Sequence, residues 1–317
     1  MRIAFVFSGQ GAQYVGMGKE LYENFNEAKE VFDNANEILK FDLKNLIFNG
    51  SIEELNITEN TQLAILTTSV AALEVLKSKG IKGDIAAGLS LGEYSALVAS
   101  EALSFEEAVK LVRKRGKYMQ EAVPLGVGAM TAIMGLSVDK IEEAIERSKD
   151  KGLVQIANYN TGNQIVIGGE VDAVNFASDL CLEYGAKRAI KLKVSGPFHT
   201  ELLEPASIKL EEELKNIRFN SMKIPVISNV TADEIKKVED IKDILTKQVK
   251  SSVRWRESIE KMINMGIDIF IEIGPGRTLS SFIKEISRSN KVKVNIFNVE
   301  DMKSLNKTLE GIGSLNA

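Results

Sequence analysis

Residues 84–100, DIAAGLSLGEYSALVAS, decide how the chain is read. Asp84–Gly88 is a short apolar run that reads as a strand, and Glu93–Ser100 reads as a helix. Between them Gly88-Leu89-Ser90-Leu91-Gly92 fits G-x-S-x-G. Such a turn leaves room only for small residues on either side, projects the serine hydroxyl and sets Ser90 at a helix N-terminus. The same pattern could also be a plain glycine-flanked turn; the strand–turn–helix context favours a nucleophile.

Working outward, Ile3–Phe7 is a short continuous apolar strand of the kind used by a parallel sheet covered on both faces. Gln62–Lys79 carries Leu63, Leu66, Val70, Leu73 and Leu76 at helical spacing, and Gly80 ends it. Ser104-Phe105-Glu106-Glu107 reads as a capping box opening a helix through about Ala122. Residues 126–194 change character. Ala129–Met134 is a predicted strand, Val138–Ser148 a helix, Val154–Tyr159 and Gln164–Ile167 two strands joined by a turn, Val171–Tyr184 a helix and Arg188–Val194 a strand. That order is β-α-β-β-α-β, the ferredoxin-like arrangement. Pro225–Val230, Asp268–Ile273 and Val292–Val299 read as further strands of the first sheet, with Leu279–Ser287 as a helix. The expected fold class is α/β. A large α/β-hydrolase-like domain with a mostly parallel sheet, residues 1–125 and 195–317, is interrupted by a small ferredoxin-like domain, residues 126–194.

The chain has 317 residues, 44% of them apolar, enough to bury a substantial core. Its net charge of −4 offers no global positive field for nucleic acid or an anionic membrane. No apolar run reaches the length of a membrane span, and the N-terminal apolar run is too short for a signal peptide, so a cytoplasmic protein is expected. One cysteine, Cys181, excludes an intrachain disulfide framework and reads as a small core residue. One histidine, His199, excludes His-rich metal sites, so no metal is expected.

That histidine stands in Ser195-Gly196-Pro197-Phe198-His199-Thr200, just after a predicted strand. By itself it is an ordinary loop histidine. Beside a nucleophilic serine it becomes the only imidazole able to activate Ser90. No acidic residue stands out as a third member, and a main-chain carbonyl could orient the ring instead. Phe7-Ser8-Gly9-Gln10-Gly11-Ala12-Gln13 follows the first strand, where backbone N–H groups could form an oxyanion hole. In the basic stretch Val112–Gln120, usually a solvated helix face, one arginine could point inward to hold a carboxylate; spacing alone does not pick which.

Taken in order, FSGQGAQYVGMGKELY, GLSLGEYSALVASEALSFEEAVKLVRKRGKYMQEA, GAMTAIMG, IANYNTGNQIVIGG, KVSGPFHTELL, PVISNVTA, QVKSSVRWRESIEKM and EIGPGRTLSSFIK resemble the malonyl-CoA:acyl-carrier-protein transacylase family, to about residue 300. That family includes the acyltransferase domains of fatty acid and polyketide synthases. The resemblance implies ping-pong transfer of malonyl from CoA to the phosphopantetheine thiol of acyl carrier protein, for fatty acid biosynthesis. Ser90 is then the acylated nucleophile, His199 its base, Arg115 the grip on the malonyl carboxylate, and Gln10 and Leu91 the oxyanion hole. Gln248 supplies the carbonyl that orients the histidine, and Phe198 matches malonyl-selective members. Leu89 departs from the pattern, standing where relatives usually carry a histidine. CoA and the phosphopantetheine arm are substrates, no cofactor is implied, and a monomer is expected. The carrier is acidic, so Lys187, Arg188, Lys191 and Lys193, or Arg254 and Arg256, are candidate docking residues. The competing readings are a discrete polyketide-synthase acyltransferase, a serine thioesterase or esterase, and a non-catalytic carrier-binding module.

Overall fold

In the computed structural model, which describes residues 1–316, the chain begins with β1 (Ile3–Phe7), all five residues buried. Helices α1 (Lys19–Asn24), α2 (Asn26–Leu39), α3 (Leu43–Asn49), α4 (Ile52–Leu55) and α5 (Thr58–Ser78) follow. Then come β2 (Ile85–Gly88), α6 (Gly92–Ala99) and α7 (Phe105–Glu121). A second group comprises β3 (Gly128–Met134), α8 (Val138–Glu146), β4 (Val154–Tyr159), β5 (Gln164–Glu170), α9 (Val171–Glu183) and β6 (Arg188–Lys191). The chain returns through α10 (Glu204–Lys215), β7 (Val226–Ile227), α11 (Asp240–Gln248), α12 (Trp255–Asn264), β8 (Ile269–Ile273), α13 (Thr278–Ser289), β9 (Asn295–Val299) and α14 (Met302–Asn316).

The first sheet has the order β7-β2-β1-β8-β9, and every neighbouring pair is parallel. Successive side chains of a strand point to opposite faces, and both faces here are covered. Ile3, Phe5 and Phe7 pack into the main core with α2, α5 and α7, while Ala4 and Val6 pack with Trp255, Ile259 and Ile283 of α12 and α13. The second sheet is antiparallel, in the order β4-β5-β3-β6. Ala129, Ile133, Ile165 and Ile167 face α8 and α9 in a separate core. Met130, Ala132, Gln164 and Val166 point the other way, into a cavity between the two sheets. The pleat of the small sheet thus makes one face a core and the other a roof over that cavity.

Several boundaries differ from the sequence reading. The helix expected from Gln62 starts at Thr58, where Gln120 Oε1 accepts the Thr58 N–H at 3.0 Å and supplies a cap from another helix. The strand expected over Arg188–Val194 ends at Lys191, although Leu192 still donates to the Met130 carbonyl. Only Val226–Ile227 of the expected Pro225–Val230 is strand, because Ser228 turns out of the sheet and pairs with Asp233. The expected Val292–Val299 strand starts at Asn295, and the expected Val138–Ser148 helix closes at Glu146. At Ser104 half of the capping box forms. The hydroxyl accepts the Glu107 N–H at 3.2 Å, while the Glu107 carboxylate turns to that same hydroxyl and to the Arg218 N–H. No helix is long and apolar enough to cross a membrane among the described residues.

Candidate active site

The elbow is built by close approach. A Cβ on Gly88 would sit 1.9 Å from the carbonyl of Gly92, and one on Gly92 would sit 2.2 Å from the Phe7 carbonyl oxygen. Neither glycine needs a positive φ. The left-handed residue is Ser90 itself, at φ 54°, a conformation that costs a non-glycine residue on the order of 1 kcal/mol or more. Neighbouring bonds hold it there. Asn229 Oδ1 accepts the Ser90 N–H at 2.6 Å, and Asn229 Nδ2 donates to the Gly88 carbonyl at 2.7 Å. The early exit of β7 from the sheet is what puts Asn229 beneath the elbow.

His199 has the same unusual backbone, at φ 61°. Its Nε2 lies 2.7 Å from Ser90 Oγ, and its Nδ1 lies 2.8 Å from the Gln248 carbonyl oxygen. A carbonyl can only accept, so Nδ1 carries the proton and Nε2 presents its lone pair to the serine hydroxyl. The carbonyls of the last helical turn lack partners within the helix. At the end of α11 His199 takes two of them, the ring bonding Gln248 and the backbone N–H donating to Val249 at 3.2 Å. The ring is 3% exposed. Burial first, and then the Arg115 charge, push its pKa down to about 4, against the pull of its backbone hydrogen bonds. It is therefore neutral at pH 7, as a base must be.

Arg115 is the arginine that turns inward. Its neighbour Arg113 reaches out to Glu59 at 3.0 Å, whereas Arg115 is 1% exposed. Its Nη1 donates to Gln62 Oε1 at 2.6 Å, and its Nη2 donates to Gln248 Oε1 at 3.0 Å and to Ser90 Oγ at 3.2 Å. Its Nε has no partner, and no carboxylate lies within ion-pair distance of it among the described residues. A buried cation held only by neutral groups is expensive unless an anion joins it. Glu93 lies behind the site, fully buried. Burial pushes its carboxyl up to about 7, against the pull of hydrogen bonds from Gln248 and Asn229 and of the Arg115 charge.

These groups open on a cavity of about 370 Å³. Gln10, Leu89, Leu91 and Phe198 line it, with an apolar far wall that includes Met134, Leu192 and Phe282. The backbone N–H groups of Gln10 and Leu91 make no hydrogen bond within the described residues. Leu91 is the first residue of the turn into α6, where such free amides are expected. Every residue singled out at the elbow, the histidine and the arginine therefore meets in one place. Gln62, Glu93 and Asn229 also belong to it, and the residue patterns did not mark them. Gln62 had a faint signal, a polar side chain interrupting an apolar helix face.

Two outlying expectations divide. Arg254 and Arg256 are occupied by Glu257 and Glu260. Lys187, Arg188, Lys191 and Lys193 are exposed around edge strand β6, with no ion pair among the described residues, next to the cavity-lining Ile190. Cys181 is buried in the small core, where burial lifts its thiol to about 11 and keeps it inert.

Residues 4–307 match the acyl transferase domain family. The chain is 53% identical to the malonyl CoA-acyl carrier protein transacylase of Bacillus subtilis over 92% of both chains. The fold superposes on the crystal structure of malonyl CoA-acyl carrier protein transacylase from Clostridium perfringens with a TM-score of 0.96, at 49% identity over 100% of this chain and 98% of that one. It also matches a malonyl-transacylase solved in complex with its type II PKS acyl-carrier protein. There the TM-score is 0.94 at 40% identity, over 98% of this chain and 100% of that one.

Proposed function

The chain belongs to the acyl transferase domain family and within it to the malonyl CoA-acyl carrier protein transacylases, and from that premise we propose ping-pong transfer of malonyl from CoA to acyl carrier protein for fatty acid biosynthesis. Ser90 Oγ attacks the thioester carbonyl carbon while His199 Nε2 takes its proton. The oxyanion is met by the free N–H groups of Gln10 and Leu91, each such donor being worth roughly 3–4 kcal/mol of barrier. The C–S bond breaks, and the CoA sulfur leaves with the proton from His199. The malonyl-serine ester waits with its free carboxylate on Arg115. The carrier's phosphopantetheine thiol gives its proton to His199, attacks the ester, and returns Ser90 to its hydroxyl form. No cofactor takes part.

The observation that carries this reading is the Ser90–His199–Gln248 relay opening on the same cavity as a buried guanidinium with no carboxylate in ion-pair contact among the described residues. Leu89 and Phe198 lie on the cavity wall with the nucleophile, and in this reading Phe198 limits the room for a branched acyl group. We read the architecture as a hydrolase-like domain, residues 1–125 and 195–317, with an inserted ferredoxin-like domain, residues 126–194. The strand order of the small sheet, with α8 and α9 on one face, supports this. We assign the enzyme to the cytoplasm and take the exposed basic residues around β6 as its dock for the carrier.

Intact-protein mass spectrometry after brief exposure to malonyl-CoA tests the reading. One malonyl adduct is expected, absent in Ser90→Ala and discharged by carrier protein. Failure to form the adduct would overturn the mechanism, and fast release of free malonate without carrier would make the protein a thioesterase.

A further inference from the structure

Glu93 has no part in the steps above, yet it is buried at the centre of the groups that carry them. One oxygen, Oε2, accepts the Gln248 Nε2–H at 2.6 Å and the Asn229 backbone N–H at 3.2 Å. The same Gln248 amide also donates to the Ser90 carbonyl at 2.9 Å, and its backbone carbonyl is the one that orients His199. Asn229 in turn holds the Ser90 N–H and the Gly88 carbonyl. One carboxylate oxygen therefore ties α11, which aims the base, to the loop after β7, which holds the nucleophile in its left-handed backbone. The second oxygen, Oε1, is buried with no partner, as is Nε of Arg115.

We infer that Glu93 is a positioning residue with two separable tasks: its Oε2 keeps the serine and histidine in register, and its negative charge offsets that of Arg115, setting how strongly the guanidinium holds the acyl carboxylate. The inference rests on the malonyl-transfer reading. Charge compensation follows from the surroundings. The titratable groups that bear on Glu93 are Arg115 from α7 and Tyr94 from its own helix. Burial pushes the Tyr94 hydroxyl up to about 12, so it stays neutral. From α11 and the β7 loop come only the neutral Gln248, Asn229 and Ser228. Arg115 is thus the one cation in reach. With Glu93 ionised, the pair is near neutral and the substrate carboxylate competes with Glu93. With Glu93 protonated, the full charge of Arg115 is available. Glu93 loses its proton near pH 7, so the affinity for malonyl-CoA should strengthen as pH falls from 8 to 6. By linkage, malonyl binding should favour protonation of Glu93.

Two substitutions separate the tasks. Glu93→Gln can keep its carbonyl oxygen at the Oε2 position, retaining both hydrogen bonds and losing only the charge. Glu93→Asp keeps the charge and withdraws it by one methylene, losing the hydrogen bonds. In wild type, KM for malonyl-CoA should rise about threefold or more from pH 6 to 8 after division by the same profile for acetyl-CoA, which has no free carboxylate. In E93Q this ratio should be flat, and kcat should fall less than in E93D. In E93D the ratio should still rise, with kcat down about tenfold. An E93Q profile that keeps the wild-type slope overturns the charge role, and an E93D kcat equal to wild type overturns the positioning role. Circular dichroism checks that each variant is folded; if one is not, the other still decides its own half. The wild-type malonyl adduct keeps the two readings distinct: its absence sinks the transfer reaction itself, whereas its presence with unchanged E93Q and E93D profiles sinks only the inference.

Discussion

Ser90 and His199 both occupy the left-handed region, where a side chain is a liability and glycine is at ease. At these two reacting residues the strain is held by Asn229 below the elbow and by the α11 carboxyl end beside the ring. Ser90→Gly should therefore be more stable than Ser90→Ala by about 1 kcal/mol in chemical denaturation, although both lack the nucleophile. The histidine leads to a second expectation. Its lowered pKa, about 4, comes partly from the Arg115 charge. In free enzyme His199 should cost kcat/KM nothing down to about pH 5, leaving only the Glu93-dependent slope between pH 6 and 8, and should bring a fall below it, as Nε2 takes up the proton it must be free to accept. Once a malonyl carboxylate offsets Arg115, the ring should titrate higher, so the acid limb of kcat should lie above that of kcat/KM. Coincident limbs would remove Arg115 from the electrostatics of the base. Arg115→Ala should lower the malonyl-to-acetyl ratio of kcat/KM about a hundredfold or more, since a site built around a charge rejects substrates without it.

The elements that carry the site differ in how much of them the sequence reveals. β1, β2 and the start of α6 are legible because a doubly covered parallel strand reads as an unbroken apolar run and the elbow requires its glycines. Gly88→Ala or Gly92→Ala should confirm that requirement. The added methyl meets backbone rather than a movable side chain, so the elbow must open, and loss of the malonyl adduct together with lowered thermal stability is expected. Helices α1–α4 are not legible. Three of them are short, and α2, which does repeat Ala28, Val31, Phe32, Ala35 and Leu39 at helical spacing, has no capping side chain to mark its start; tertiary bonds fix this region, as where Asn36 bridges Asp42 and the Lys44 N–H. The two-residue β7 is hidden for a related reason. Its apolar run looks like a full strand, and only the turn made by Ser228 shows why Asn229 leaves the sheet. Partners such as Gln62, Glu93 and Asn229 are set by contacts across 53 to 155 positions of chain, which no local pattern encodes.

At the scale of the whole molecule, the cavity lies between a sheet that supplies the chemistry and a smaller sheet that roofs it, and the proposed dock would bring the carrier's arm in along the edge of that roof. Edge strand β6 carries Ile190 on the cavity wall and leaves Lys187, Arg188, Lys191 and Lys193 in solvent without carboxylate partners among the described residues. Clustered cations beside an opening attract an acidic protein over distances of about a Debye length, roughly 10 Å at 0.1 M salt. Arg254 and Arg256 are already neutralised by Glu257 and Glu260, so the two basic groups should behave differently. Reversing the four β6 charges to glutamate should raise KM for carrier protein about tenfold at low salt, and the effect should shrink as salt screens the field. Reversing Arg254 and Arg256 should change it far less. Both variants should still acquire the malonyl group from CoA, with the β6 variant losing more in the carrier step than in acylation. Equal sensitivity of the two basic groups, or a β6 effect that persists at high salt, would place the dock elsewhere on the surface.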